Sequence, residues 1–361
     1  MTRGLVLGKF YPPHKGHEYL VRFAAQYMMQ HRSGVDVFVC TLNREQLDGE
    51  LRYQWMTELK IPMANILWYN KDIPQEPKEH PDFWDIWRNM LTDNGARKYS
   101  HVFASEEYGH RLAQELDAEF VPVDINREMF PTSGTEVREG LTDPGCFEEF
   151  VSNWDNLIYP AQLALTTEIR VVGPESTGKT TITNELATVF NSPKVLEYGR
   201  TYFEDLRFVR PDYECTPEDI EVIMKGHKAS LEAVRAMNKV NPRPFIFWDT
   251  DAMATKLFSQ AYFGNYPKKL DVLIDELWDM PTILLSPETD YVDDGMRDLP
   301  DQNIREWFFN EYREYLTSRR IPHIIVTGGI FESRTEQAWD AALKLHRANN
   351  LSKLRADWAG V

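Results

Sequence analysis

Cysteine is scarce in this 361-residue chain, and the three present are dispersed. Cys40, Cys146 and Cys215 share no metal-ligand spacing, which excludes a cysteine-based zinc site and argues against a disulfide framework. They fit a reducing compartment, and we expect a cytoplasmic protein. Long apolar runs are also missing: none exceeds strand length, so no membrane-spanning helix is expected, and the N-terminus lacks the pattern of a signal peptide. Internal repeats and low-complexity tracts are absent. Positive charge is in deficit, with 40 Lys and Arg against 56 Asp and Glu and a net charge of −16. Such a surface repels a nucleic-acid backbone, so neither DNA nor RNA is expected as the main partner. Phosphorylated small molecules remain possible ligands, because local donors outweigh a distant net charge.

What is present describes a globular chain long enough for two cores, with 42% hydrophobic and 27% charged residues. The first half alternates strand and helix patterns. Apolar strands are predicted at residues 4–7, 35–41, 66–69, 102–105 and 120–123. Between them, residues 16–30 place Tyr19, Leu20, Phe23, Ala24, Tyr27 and Met28 on one helical face. A second helix is expected at residues 51–59. A proline-broken stretch around Pro74, Pro77 and Pro81 reads as a long loop, the kind that often covers a site. Around residues 153–167 the pattern lapses, and the domain junction is expected there. It then restarts, with strands at 169–172, 195–198, 245–248, 282–285 and 323–326 and helices at 179–190, 217–239 and about 334–346. Strand–helix alternation of this kind predicts parallel sheets with helices on both faces. We place the domains at residues 1–160 and 168–361.

Each half carries its own phosphate-handling motif. The first is Gly8-Lys9-Phe10-Tyr11-Pro12-Pro13-His14-Lys15-Gly16-His17, after a strand and opening a helix. Gly16 lets the backbone approach a ligand, and the amides of a helix start attract phosphate. His14 and His17 can then donate hydrogen bonds to a phosphate whose charge is redistributing. A nucleotidyl transfer needs no covalent enzyme intermediate, only alignment of nucleophile, α-phosphate and leaving pyrophosphate. A lone histidine would be an ordinary surface residue; two histidines with glycine and proline within ten residues are not. A second stretch, Pro131-Thr132-Ser133-Gly134-Thr135-Glu136-Val137-Arg138, opens another helix. Ser133 and Glu136 have capping-box spacing, and the same helix start with Thr135 and Arg138 can clamp a triphosphate.

The second motif, Gly173-Pro174-Glu175-Ser176-Thr177-Gly178-Lys179-Thr180, fits a P-loop between a strand and a helix, its confirming context. Glu175, Ser176, Thr177 and Gly178 supply the backbone amides that wrap the β-phosphate, with Thr181 beside them. Lys179 reaches the β- and γ-phosphates, and Thr180 is expected to ligate Mg2+. The strand 245–248 ends in Asp249-Thr250-Asp251. Spacing leaves open which carboxylate belongs to the metal shell; we assign Asp249 to it. A kinase acting on a hydroxyl also uses a base or orienting carboxylate. Glu197, at the end of a strand in Leu196-Glu197-Tyr198-Gly199-Arg200, competes with Asp251 for that role. Arg200 either touches substrate or bridges to Glu204 at helical spacing. The polar stretch 290–297 reads as a lid or as an ordinary charged loop, with Arg297 a candidate for the transferring phosphate.

The two N-terminal stretches resemble the nucleotidylyltransferase superfamily. With Ala104-Ser105-Glu106-Glu107-Tyr108-Gly109 and the central P-loop, the chain resembles the bifunctional NadR family over nearly its whole length, in the same domain order. That resemblance implies a Rossmann-like nicotinamide-mononucleotide adenylyltransferase domain followed by a P-loop ribosylnicotinamide kinase domain, an α/β chain of two doubly wound parallel sheets. It implies that His14, His17, Lys15, Arg138, Ser133 and Thr135 bind the ATP phosphates, with Gly8, Phe10 and Gly16 in the same site. ATP and Mg2+ would serve both domains, with nicotinamide riboside, NMN and NAD as the other ligands. Asp294 and Arg297 match a D-G-x-R pattern of these kinases. Trp84 and Trp87, three apart on an expected helix, either pack the core or form a platform for the flat pyridinium cation. Some members carry an N-terminal helix-turn-helix; here the first strand begins at residue four, so DNA binding is not expected. The superfamily often assembles, so a homo-oligomer is allowed. Two rivals remain: a coenzyme A synthase-like fusion of adenylyltransferase and kinase, and a non-catalytic sensor of NAD and ATP.

Overall fold

The structure is a computed structural model that describes residues 3–42, 45, 47–142, 146–276, 279–292 and 299–350. The chain divides into two compact units, one running to Ala164 and the other spanning Leu165–Asn350.

In the first unit the chain runs β1 (Arg3–Gly8), α1 (Lys15–Gln30), β2 (Val35–Thr41), α2 (Gly49–Glu58), β3 (Ala64–Asn70), α3 (Phe83–Leu91), β4 (Tyr99–Ala104), α4 (Tyr108–Glu115), β5 (Glu119–Pro122), α5 (Gly134–Thr142), α6 (Phe147–Asn156) and α7 (Tyr159–Leu165). Its five strands are all parallel, in the order β3-β2-β1-β4-β5. All seven residues of β2 are buried, which explains its nearly unbroken apolar reading, since a parallel strand is covered on both faces. Its one acid, Asp36, is matched by Arg3 Nε (2.7 Å), Asn65 Nδ2 (3.0 Å) and Tyr99 OH (3.2 Å). Phe83, Trp87 and Leu91 of α3 pack with Leu5, Phe38 and Val102 in the core on one sheet face.

The second unit continues β6 (Thr167–Val172), α8 (Lys179–Val189), β7 (Lys194–Val195), α9 (Tyr198–Val209), α10 (Pro217–Val240), β8 (Phe245–Asp249), α11 (Ala252–Phe263), α12 (Asp271–Asp275), β9 (Thr282–Leu285), α13 (Gln302–Ser318), β10 (His323–Val326) and α14 (Phe331–Asn350). Its sheet is also five-stranded and parallel, ordered β10-β9-β6-β8-β7. The chain is therefore α/β, with two doubly wound sheets. The strand expected at residues 195–198 is shorter: β7 ends at Val195 and α9 takes over at Tyr198. Other helices escaped the sequence pattern as well, among them α11 and α13. Apolar residues run almost all round α11 and aromatics interrupt α13, so neither shows a single stripe.

Each sheet reverses its winding once, beside β1 in the first unit and beside β6 in the second. In open parallel sheets the crevice at the carboxyl ends of such strands holds the ligand. Both phosphate motifs follow those strands directly. Among the described residues no helix is long and apolar enough to cross a membrane, and the three cysteines are free.

Candidate functional site

The first unit opens a cavity of about 1000 Å3 at the carboxyl ends of β1 and β4. The loop after β1 supplies Gly8, Phe10, Tyr11 and His14, and the start of α1 supplies Gly16 and His17. The start of α5 adds Ser133, Gly134, Thr135 and Arg138, so the two stretches of sequence meet across one cavity. Gly134 explains how closely they approach: a Cβ there would stand 2.7 Å from the Tyr11 carbonyl oxygen. Arg138 fixes the junction, donating to Tyr11 O (3.1 Å) and Thr135 Oγ1 (3.3 Å), with its guanidinium 4.5 Å from the Tyr11 ring centroid. The Glu136 amide donates to Ser133 Oγ (3.2 Å), so the capping expected there forms in part.

The two imidazoles lie 3.7 Å apart, centroid to centroid. The His14 backbone N–H donates to His17 Nδ1 (3.2 Å). Nδ1 is thereby the acceptor, and the ring proton of neutral His17 sits on Nε2. Burial, with Arg127 nearby, lowers the His14 pKa to about 4, against a smaller opposing pull from Glu136. Burial, then His14, then Arg127 push His17 well down. Both rings are thus neutral donors at physiological pH, able to take a proton when an anion arrives. A Cβ on Gly16 would come within 3.1 Å of the His14 ring.

Sequence reasoning missed Arg127 and the turn that carries it. Asp124 Oδ1 and Oδ2 accept from the amides of Met129 (3.0 Å) and Phe130 (3.1 Å). That turn directs Arg127 into the cavity lining, where it donates to Thr132 O (3.3 Å) and Glu106 Oε1 (3.4 Å). The signal was available: an Asp three residues before an Arg, directly after an apolar strand. Lys15 is exposed and stands outside the cavity lining. Trp84 and Trp87 both line the cavity and both pack on the core of that unit. Trp87 is buried in the core with its indole N–H on Pro74 O (2.8 Å). Trp84 is half-buried and has the Arg111 guanidinium 5.5 Å from its ring centroid.

The second unit has a cavity of about 140 Å3 lined by the P-loop from Glu175 to Thr181 and by Glu197, Arg200, Phe203, His227, Thr250, Phe258 and Tyr262. Gly178 takes a φ of +85°, and Gly173 packs against Leu285 O. Carbonyls of the loop are held from outside. Arg305 Nε binds Glu175 O (3.1 Å), Thr289 Oγ1 binds Ser176 O (2.7 Å) and Arg334 Nη2 binds Thr177 O (3.2 Å). Pulling carbonyls outward leaves the amides to face an anion. Lys179 Nζ donates to Pro174 O (3.0 Å), as does Thr177 Oγ1 (2.9 Å).

Asp249 is buried at the end of β8 against Thr180. Among the described residues its Oδ1 has no partner, and burial raises its pKa against the opposing pull of Thr180, Lys179 and Arg200. An orphaned buried carboxylate oxygen beside the P-loop hydroxyl fits a divalent cation. Among the described residues no cluster of three His, Cys, Asp or Glu is placed to hold an ion. To such an ion these residues would offer one carboxylate and one hydroxyl, the small protein share that Mg2+ accepts.

The structure separates the two candidates for the base. Asp251 is only 2% exposed. It accepts from Arg170 Nη1 (2.9 Å), Tyr312 OH (2.7 Å) and the Ala254 amide (2.9 Å), capping α11. Its carboxylate is committed to the interior and does not line the cavity. Glu197, at the N-terminus of α9, does. Arg200 lies 3.8 Å from Glu204, the bridge expected at that spacing, and also lines the cavity. Arg297, Asp293 and Asp294 lie outside the described residues; of the expected lid, Asp290 and Val292 pack on Ser176 through Asp290 O (3.3 Å) and the Val292 amide (2.7 Å).

Residues 168–334 match the model of the AAA domain family. The chain is 30% identical over 349 residues to the "Trifunctional NAD biosynthesis/regulator protein NadR" of Escherichia coli, covering 92% of this chain and 80% of that protein. The chain belongs to the NadR family. The Salmonella typhimurium protein of the same description is also 30% identical, over 348 residues, with the same shares of 92% and 80%. Among solved structures, a NadR protein in complex with NR matches with a TM-score of 0.56 and 21% identity, covering 96% of each chain. A NadR protein in complex with NAD and AMP-PNP matches with a TM-score of 0.54 and 20% identity, again over 96% of each. These two likenesses establish the shared fold.

Proposed function

We propose that the chain is a bifunctional enzyme of NAD biosynthesis. The second unit phosphorylates nicotinamide riboside with ATP to give NMN, and the first joins NMN to AMP from a second ATP, giving NAD and pyrophosphate. The observation that carries this reading is the presence of two anion cradles, each at the winding reversal of its own parallel sheet. Membership of the NadR family, and the ligands named for its solved members, support the substrate choice.

In the first unit, an NMN phosphate oxygen attacks the α-phosphorus of ATP while the bond to the pyrophosphate oxygen breaks. His17 Nε2–H, the His14 ring, Arg127, Arg138 and the amides at the α5 start surround the oxygens on which charge accumulates. In the second unit, Glu197 orients the riboside hydroxyl and accepts its proton as the oxygen attacks the γ-phosphorus. Lys179 leaves Pro174 O for the phosphates, and Arg200 adds charge at the cavity wall. Mg2+, held by Asp249 and Thr180, would neutralise phosphate charge when bound.

Incubation with nicotinamide riboside, ATP and Mg2+, followed by mass spectrometry, tests the reading. NMN and then NAD are expected. Lys179→Ala is expected to abolish riboside phosphorylation and spare adenylylation of supplied NMN. Product from phosphopantetheine alone would select a coenzyme A synthase-like activity instead, and no turnover of either substrate would select a sensor.

A further inference from the structure

In the second unit's cavity, two buried polar atoms have no hydrogen-bond partner among the described residues. They are Nε2 of His227, a residue 5% exposed, and Oγ1 of Thr250, a residue 3% exposed. Both residues line the cavity. A buried polar group left unsatisfied is destabilising, so each calls for an explanation. Thr250 bears a second cost. Its φ is +73°, a region a β-branched residue rarely enters and one where backbone strain gathers at ligand sites.

Their placement identifies the missing partner. Thr250 directly follows Asp249, the carboxylate beside Thr180 of the P-loop, so its hydroxyl stands one residue from the phosphate end of the cavity. In a nucleoside acceptor the part nearest that end is the sugar, which carries the reacting hydroxyl. His227 lies on the face of α10 that also turns Ile220 and Ile223 to the cavity, at spacings of three and four. Burial lowers the His227 pKa, with Asp251 opposing, so the ring is neutral and unsuited to hold an anion. A neutral imidazole nitrogen and a threonine hydroxyl best match hydroxyl groups, which both donate and accept.

We propose that His227 Nε2 and the Thr250 hydroxyl read the sugar hydroxyls of the acceptor, and that they set a preference for a ribosyl over a 2′-deoxyribosyl nucleoside. The proposal rests on the kinase reading of the second unit. A site built to hydrogen-bond a hydroxyl rejects the analogue lacking it, because its own polar atoms are then left unpaired.

The test is phosphoryl transfer from ATP to ribonucleosides and their 2′-deoxy counterparts sharing one base, with nicotinamide riboside and the common nucleosides as the panel. The unmodified protein is expected to prefer the ribosyl member by about 100-fold in kcat/KM. His227→Phe and Thr250→Val are each expected to shrink that ratio about tenfold or more, through loss of kcat/KM on the riboside. Thr250→Ser, which keeps the hydroxyl, is expected to keep the ratio. Thr250→Gly removes the hydroxyl and also the backbone strain, so it separates recognition from folding: its melting temperature is expected to hold or rise while the ratio falls. A ratio near one in the unmodified protein, or one unmoved by both His227→Phe and Thr250→Val, overturns the proposal, and marks the orphaned atoms as water sites. Phosphorylation of a different riboside, but not of nicotinamide riboside, rejects the proposed substrate while the sugar preference is still read on that pair. If no nucleoside accepts phosphate, the assignment of His227 and Thr250 falls as well.

Discussion

Replacing Asp251 with asparagine distinguishes a structural carboxylate from a catalytic one. The side chain lies between three donors: Arg170 Nη1 at 2.9 Å, Tyr312 OH at 2.7 Å and the Ala254 amide at 2.9 Å. Arg170 is itself buried, with its other contacts on Thr282 Oγ1 (3.1 Å) and Met280 O (2.8 Å), both neutral. Burial opposes its charge; Tyr312 and Asp251 outweigh that burial and hold its pKa above the usual value. Asparagine keeps an acceptor for the cap but removes the acidic partner that Arg170 has among the described residues, leaving a buried cation uncompensated. Breaking one side of such a pair costs about 3–5 kcal/mol. For a unit of this size each kcal/mol moves the melting temperature by about 2–4 °C, so the second unit's transition is expected to fall by about 6–20 °C. Urea unfolding and calorimetry read the loss. The triple variant Arg170→Met, Asp251→Leu, Tyr312→Phe removes the buried cation, the carboxylate and the Tyr312 hydroxyl together and is expected to recover part of the stability, the Ala254 amide being left without its cap. A variant Asp251→Asn of full stability that no longer transfers phosphate would refute this account and return Asp251 to the chemistry.

Acid is expected to weaken the first unit. The His14 pKa is lowered to about 4 in the fold against about 6.5 in an unfolded chain. Between those values the unfolded chain binds a proton that the folded site does not, so stability falls as pH drops from 6.5 towards 4, by on the order of 3 kcal/mol. Denaturation at pH 7.5 and pH 5 measures the slope, and His14→Asn is expected to flatten it. Binding a triphosphate beside two neutral imidazoles is expected to draw in protons near neutral pH; titration calorimetry in buffers of different ionisation enthalpy shows this as a buffer-dependent heat. Gly134→Ala places a Cβ 2.7 Å from Tyr11 O, with an expected cost of about 1–3 kcal/mol and a larger loss of nucleotide affinity; unchanged affinity would separate α5 from the cavity.

Legibility in the sequence followed the range of the forces involved. Apolar strands such as β2 and the P-loop were visible because one local pattern fixes each, burial on both faces in the first case and backbone geometry in the second. The meeting of Tyr11 with Gly134 and Arg138 was only implied, because more than a hundred residues separate them. Asp249 and Asp251 are alike by spacing. They parted only when Arg170 and Tyr312, from β6 and α13, were found around one of them. Arg127, His227 and Thr250 escaped notice because the value of each lies in what surrounds it: a turn organised by Asp124, or a buried atom with no partner among the described residues.

The contact of the Lys179 ammonium with the Pro174 carbonyl bears on how nucleotide comes and goes. The cation has a resting berth within its own loop. On the kinase reading proposed above, arrival of ATP would swap one oxygen for another and departure of ADP would restore the berth, so that no stranded charge is left to be rehydrated when the product leaves.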